Sequence, residues 1–113
     1  MNNQYQPPTL LIVEDSDEYF EVLSRIIDLV SDRDILIERC IDGDDALDFL
    51  HREGIYSQIT DRPNPDLVLL DLNLPGTDGR EVLGIIKNTD CLKTIPVAIL
   101  TTSANPKDIE GCY

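Results

Sequence analysis

Three acidic residues sit at the ends of apolar runs. Glu14 and Asp15 follow a run that begins at Thr9, and Asp71 ends the run that begins at Leu67. Thr101 ends a third such run, opening at Pro96. Each run places its polar group at the last residues and none in the middle. For a single acid, the ordinary polarity of loops accounts for this. For three acids, each behind four or more apolar residues, a shared site is the better reading. Carboxylates a few ångströms apart repel, so one takes up a proton unless a cation neutralises them. A hard divalent cation with oxygen ligands meets that need. Mg²⁺ fits best, because it binds through one or two carboxylates and leaves room for waters and a phosphate. An aspartate in such a site can attack phosphorus. Thr101 and the main-chain N–H groups after Asp71 could then hydrogen-bond phosphoryl oxygens.

The segments that carry these residues alternate between two periods. Thr9–Glu14, Leu67–Asp71 and Pro96–Thr101 are short and continuously apolar, as expected of strands buried on both faces. Ile35–Ile41 mixes Glu38 and Arg39 into its run, which predicts an edge strand with one solvated flank. Helices are predicted at three places. Asp17–Val30 has a stripe of Phe20, Leu23, Ile26, Ile27 and Val30 behind Ser16 or Asp17 as cap. Gly43–Glu53 follows Asp42 or Asp44 as cap, and Arg80–Asn88 carries Val82, Leu83 and Ile86. A further helix is expected from Asn105 or Pro106. Residues 1–8 read as a disordered lead, and 54–65, with a glycine and two prolines, as a long loop. Strands alternating with helices imply an α/β fold, a doubly wound parallel sheet whose ligand sits beyond the carboxyl ends of the strands.

Composition narrows the function classes. The 113 residues suit one domain and carry 9 Lys+Arg against 22 Asp+Glu, a net charge of −13. So acidic a chain is poorly suited to gripping nucleic acid or an anionic membrane. No apolar run approaches the ~20 residues of a membrane span. Cys40, Cys91 and Cys112 form no CxxC pair, so neither a disulfide framework nor a zinc site is indicated. A cytoplasmic location is the expectation.

Glu14-Asp15, then Asp71-Leu72-Asn73-Leu74-Pro75 with Asp78-Gly79, then Leu100-Thr101-Thr102, together resemble the receiver domain of two-component response regulators. Pro75 lies four residues after Asp71, Gly79 eight and Thr101 thirty. The resemblance runs from Thr9 to the last residue, and is greatest to the single-domain regulators of cyanobacterial phytochromes. It implies a flavodoxin-like sheet of order 2-1-3-4-5. It implies that Asp71 accepts a phosphoryl group from a phosphohistidine of a sensor histidine kinase, for this subgroup a phytochrome. Mg²⁺ would be held by Asp15, Asp71 and the carbonyl of Asn73, with Glu14 acting through a bound water. Thr101, with Asn73 and Thr102, would contact the phosphoryl group. The chain would be a signalling switch with weak autophosphatase activity rather than an enzyme. A homodimer is compatible with the resemblance.

Two features depart from the family pattern. Asp15 and Asp71 are 56 residues apart, about ten more than a compact receiver needs, and the 54–65 loop absorbs the excess. That loop is expected to lie away from the acids. The family's fifth strand, its lysine and its last helix would also fall after Tyr113, so 9–113 reads as a C-terminally incomplete receiver. Alternative readings are a haloacid dehalogenase-like phosphatase and a degenerate receiver that only binds partners. The first wants an acid at position 73, where Asn stands. His51 reads as helix surface, Asp78 as a turn residue, and Gly76 and Gly79 as sources of positive φ.

Overall fold

The computed structural model describes residues 7–58, 64–74 and 77–100. Pro75, Gly76, Thr101, Thr102 and the helix expected from Asn105 or Pro106 lie outside the described residues, as do Cys112 and most of the 1–8 lead. Along the chain run β1 (Thr9–Val13), α1 (Asp17–Val30), β2 (Leu36–Cys40) and α2 (Gly43–His51). A short 3-10 turn at Gly54–Tyr56 follows, then β3 (Leu67–Asp71), α3 (Gly79–Asn88) and β4 (Val97–Leu100).

Local chemistry sets the helix starts. Ser16 Oγ accepts from the Tyr19 amide, with Asp17 and Glu18 in the first turn of α1. Asp42 accepts from the Asp45 amide at 2.7 Å, and Asp78 from the Arg80 amide at 2.7 Å. Side-chain acceptors of this kind satisfy donors that a helix N-terminus leaves unpaired. Asp78, expected as a turn residue, is thus the cap of α3. Among the described residues positive φ occurs at Arg52 and Gly54, both 59°. Gly79 does not have it, contrary to expectation. Its glycine serves a close approach described below.

All pairings are parallel, in the order β2-β1-β3-β4. This matches the first four positions of the expected flavodoxin-like order. Leu11 and Val13 of β1 and Val68 and Leu70 of β3 share one face of the sheet. They pack with Ala46, Phe49 and Leu50 of α2 and Val82 and Ile86 of α3, closed by Leu92 and Ile95. Phe49 meets Tyr56 edge-on, with ring centroids 5.1 Å apart, which joins the 3-10 turn to this core.

The two-residue period of a strand sends Leu10, Ile12 and Glu14, with Leu69 and Asp71, to the opposite face. That face is less covered. The α1 stripe is not fully buried at any position: Phe20, Leu23 and Ile27 are half-buried, whereas Ile26 and Val30 are exposed. The expectation that β4 is buried on both faces is also corrected. It pairs with β3 alone among the described residues, no residue of it is fully buried, and Ile99 is 40% exposed.

Candidate functional site

Register brings the acids together. Val13 pairs with Leu70, so the next residue on each strand, Glu14 and Asp71, emerges at the same sheet edge and on the same face. Asp71 in turn pairs with Leu100, and the Leu72 amide donates to the Leu100 carbonyl at 3.2 Å. Thr101 follows Leu100 in sequence but lies outside the described residues, as does Thr102. Glu14, Asp15 and Asp71 each offer a carboxylate oxygen, and these oxygens lie within 4.8 Å of one another. Glu14 is 1% exposed and Asp71 0%, while Asp15 and Asn73 are exposed and mark the solvent side.

The two buried carboxylates are oriented by main chain. Glu14 Oε2 accepts from the Ser16 amide at 3.0 Å. Asp71 Oδ1 accepts from the Asn73 amide at 2.9 Å, a local turn that places Asn73 beside the cluster. Glu14 Oε1 is enclosed without a hydrogen-bond partner. A buried acceptor without a donor is costly, and in a cluster of acids it is the atom that a cation would satisfy. The donor set is all oxygen, as a hard cation requires. The residues present therefore fit Mg²⁺.

The electrostatics agree. Burial, with a further contribution from the charge of Asp71, raises the Glu14 carboxyl from 4.5 to about 7, although the Ser16 amide opposes the shift. A carboxyl so placed holds its proton near neutrality until positive charge arrives. Tyr56 also titrates above its usual range, from burial first and then from donating to Asp45 Oδ1 at 2.6 Å. It lies beside α2 and is not one of the clustered acids.

Two glycines let neighbouring backbone close on the site. A Cβ at Gly79 would lie 2.5 Å from the carbonyl oxygen of Asp71 and 2.8 Å from Leu72 Cα. Only glycine lets the first turn of α3 pack there. A Cβ at Gly43 would likewise collide with the Thr77 carbonyl, and Thr77 Oγ1 donates to Asp44 Oδ1 beside it. The sequence reading missed these approaches, because a glycine between helix caps looks the same whether it supplies φ or space. It missed Arg39 too, assigned to a solvated flank, whose Nε donates to the Glu14 carbonyl at 3.2 Å. His51, read as helix surface, lies at the end of α2, with Nδ1 4.0 Å from Glu53 Oε1.

Comparison with known proteins gives this parallel sheet, with three carboxylates gathered at its strand ends, a family. Residues 10–113 match the response regulator receiver domain, and the chain belongs to that family. It is 42% identical over 115 residues to response regulator Rcp1 of Synechocystis sp., covering 100% of this chain and 75% of Rcp1. The Mn(2+)-bound form of Rcp1 superposes with a TM-score of 0.79 at 42% identity, covering 95% of this chain and 74% of that one. The phosphorylated cyanobacterial phytochrome response regulator RcpA gives a TM-score of 0.79 at 38% identity, covering 93% of this chain and 72% of that one. The chain is thus a two-component receiver related to phytochrome response regulators. Neither a haloacid dehalogenase-like phosphatase nor a binding-only module is favoured. Among the described residues no helix is long and apolar enough to cross a membrane.

Proposed function

We propose that Asp71 accepts a phosphoryl group from a phosphohistidine of a sensor histidine kinase, and that Asp15, Asp71 and the Asn73 carbonyl hold Mg²⁺ beside it, with Glu14 acting through a bound water. The observation that carries this reading is the carboxylate cluster, with oxygens within 4.8 Å and Glu14 Oε1 enclosed without a donor. When bound, the cation would supply the positive charge that lets Glu14 give up its proton and offsets charge on the phosphoryl oxygens. An Asp71 oxygen attacks phosphorus, the P–N bond to the histidine breaks, and its electron pair stays on the imidazole nitrogen. The Asn73 amide orients Asp71 through Oδ1. Thr101 and Thr102, outside the described residues, are proposed to hydrogen-bond the transferred group together with Asn73. Slow attack by water on phosphorus then breaks the P–O bond to Asp71, restoring the carboxylate and releasing phosphate.

The relatives support this reading: RcpA is described as phosphorylated and Rcp1 as Mn(2+)-bound. The same kinship supports a phytochrome as the partner kinase, phosphorylation-dependent partner binding as the output, and a cytoplasmic setting. Incubation with Mg²⁺ and acetyl phosphate should add one phosphoryl mass to the chain. Asp71→Asn should abolish it, and labelling that persists in that variant would overturn the assignment.

A further inference from the structure

Arg39 is a charged side chain that the phosphoryl chemistry leaves unused. It stands on β2 opposite Ile12 of β1 and turns to the face that carries α1. Its guanidinium touches both ends of one connection. Nε donates to the carbonyl oxygen of Glu14 at 3.2 Å, where β1 ends. Nη1 lies 2.8 Å from Asp17 Oδ1, where α1 begins. The group also lies over the Phe20 ring, 4.7 Å from its centroid and three residues beyond Asp17 in α1. These contacts bracket residues 14–17, the segment that carries Glu14 and Asp15.

Stability alone explains this arrangement poorly. The Asp17 side chain is 90% exposed, and an ion pair with so hydrated a partner adds little. The planar guanidinium instead holds two acceptors in a set relative position, which a lysine ammonium does not reproduce. Half-buried against Phe20, it is pre-organised for that task.

We propose that Arg39 is a positioning residue for the cation site. It ties the Glu14 main chain to the first turn of α1, so that the Glu14 and Asp15 carboxylates keep the spacing from Asp71 that a divalent cation needs. The proposal rests on the phosphoryl-acceptor reading above. It differs in sign from a purely electrostatic role. A guanidinium acting through charge alone repels the cation, so its removal would tighten binding. One acting through position weakens binding when removed.

The test is calorimetric titration of MgCl₂ into the wild-type chain, Arg39→Ala, Arg39→Lys and Asp15→Ala, each checked for native far-UV circular dichroism. Arg39→Ala should weaken Mg²⁺ binding about tenfold, the low end for partners that orient metal ligands. Arg39→Lys keeps the charge, yet it should also weaken binding, because one ammonium cannot serve both Glu14 and Asp17. If Arg39→Ala does not fold, Arg39→Lys decides the matter. Unchanged or tighter binding in the folded Arg39 variants overturns the proposal. If the wild-type chain binds no Mg²⁺, or Asp15→Ala binds it equally well, the phosphoryl-acceptor reading fails and this proposal falls with it. Binding that depends on Asp15 but not on Arg39 sinks this proposal alone.

Discussion

Replacing Glu14 by Gln removes one charge from the cluster and keeps the shape of the side chain. Burial and Asp71 raise the folded carboxyl to about 7, from 4.5. The folded chain therefore binds this proton more tightly than the unfolded chain does. The stabilisation is complete below the unfolded value and is lost as pH rises through about 7. A shift of that size corresponds to about 3 kcal/mol of stability lost between acid and pH 8 in the absence of divalent cation. The geometry gives a similar figure. Two carboxylate charges at 4.8 Å, the upper bound on the oxygen separations in the cluster, repel by about 3 kcal/mol at an effective dielectric constant of ~20. Glu14→Gln has no such proton to lose. Urea unfolding of both proteins in EDTA, followed by circular dichroism, should show the variant gaining on wild type by about 2 kcal/mol between pH 5 and pH 8. The change with pH is the test, since new hydrogen bonds from the glutamine amide shift both measurements alike. Added Mg²⁺ should stabilise wild type more than the variant at pH 8. A stability difference that does not change with pH would refute the account of Glu14 as a carboxyl strained by burial and by Asp71.

Three further outcomes are expected. Asp15→Ala should bind Mg²⁺ more weakly with little change in urea midpoint, because Asp15 is exposed; equal affinity by titration would remove it from the cation site. Gly79→Ala should cost about 1–3 kcal/mol and slow acetyl phosphate labelling of Asp71, because the added methyl meets the Asp71 carbonyl at 2.5 Å; an unaltered thermal melt would contradict the close approach. Ile86→Ala, at a fully buried position between α3 and the sheet, should cost about 2–5 kcal/mol in denaturant unfolding, and a loss below 1 kcal/mol would mean that the α3 side of the core is loosely packed.

Much of the fold could be read along the chain, because its signals are local. Runs such as Thr9–Val13 and Leu67–Asp71 are too short and apolar to be anything but interior strands. Ser16 and Asp42 mark helix starts by the chemistry of their own side chains, whereas Asp78, expected as a turn residue, caps α3. The acids of the site were visible for the same reason, since each follows directly on an apolar run. The rhythm gave a doubly wound parallel sheet with the charged second strand at an edge; the full strand order was what the resemblance, carried by Glu14-Asp15 and the spacing after Asp71, implied.

Other features depend on which segments become neighbours. Parallel register sets Glu14 abreast of Asp71, and that enclosure raises the Glu14 carboxyl, while its sequence neighbours pull in opposite directions, the Ser16 amide down and Asp15 up. Gly79 carries no positive φ; what it provides is room for the Asp71 backbone, 8 residues away in sequence. Arg39 reads locally as a charge on an edge strand, yet it spans the end of β1 and the start of α1. Hydrophobic period and capping act over a few residues and are written in sequence order. Desolvation, close backbone approach and guanidinium geometry act through space, and they arise only once the sheet has brought distant segments together.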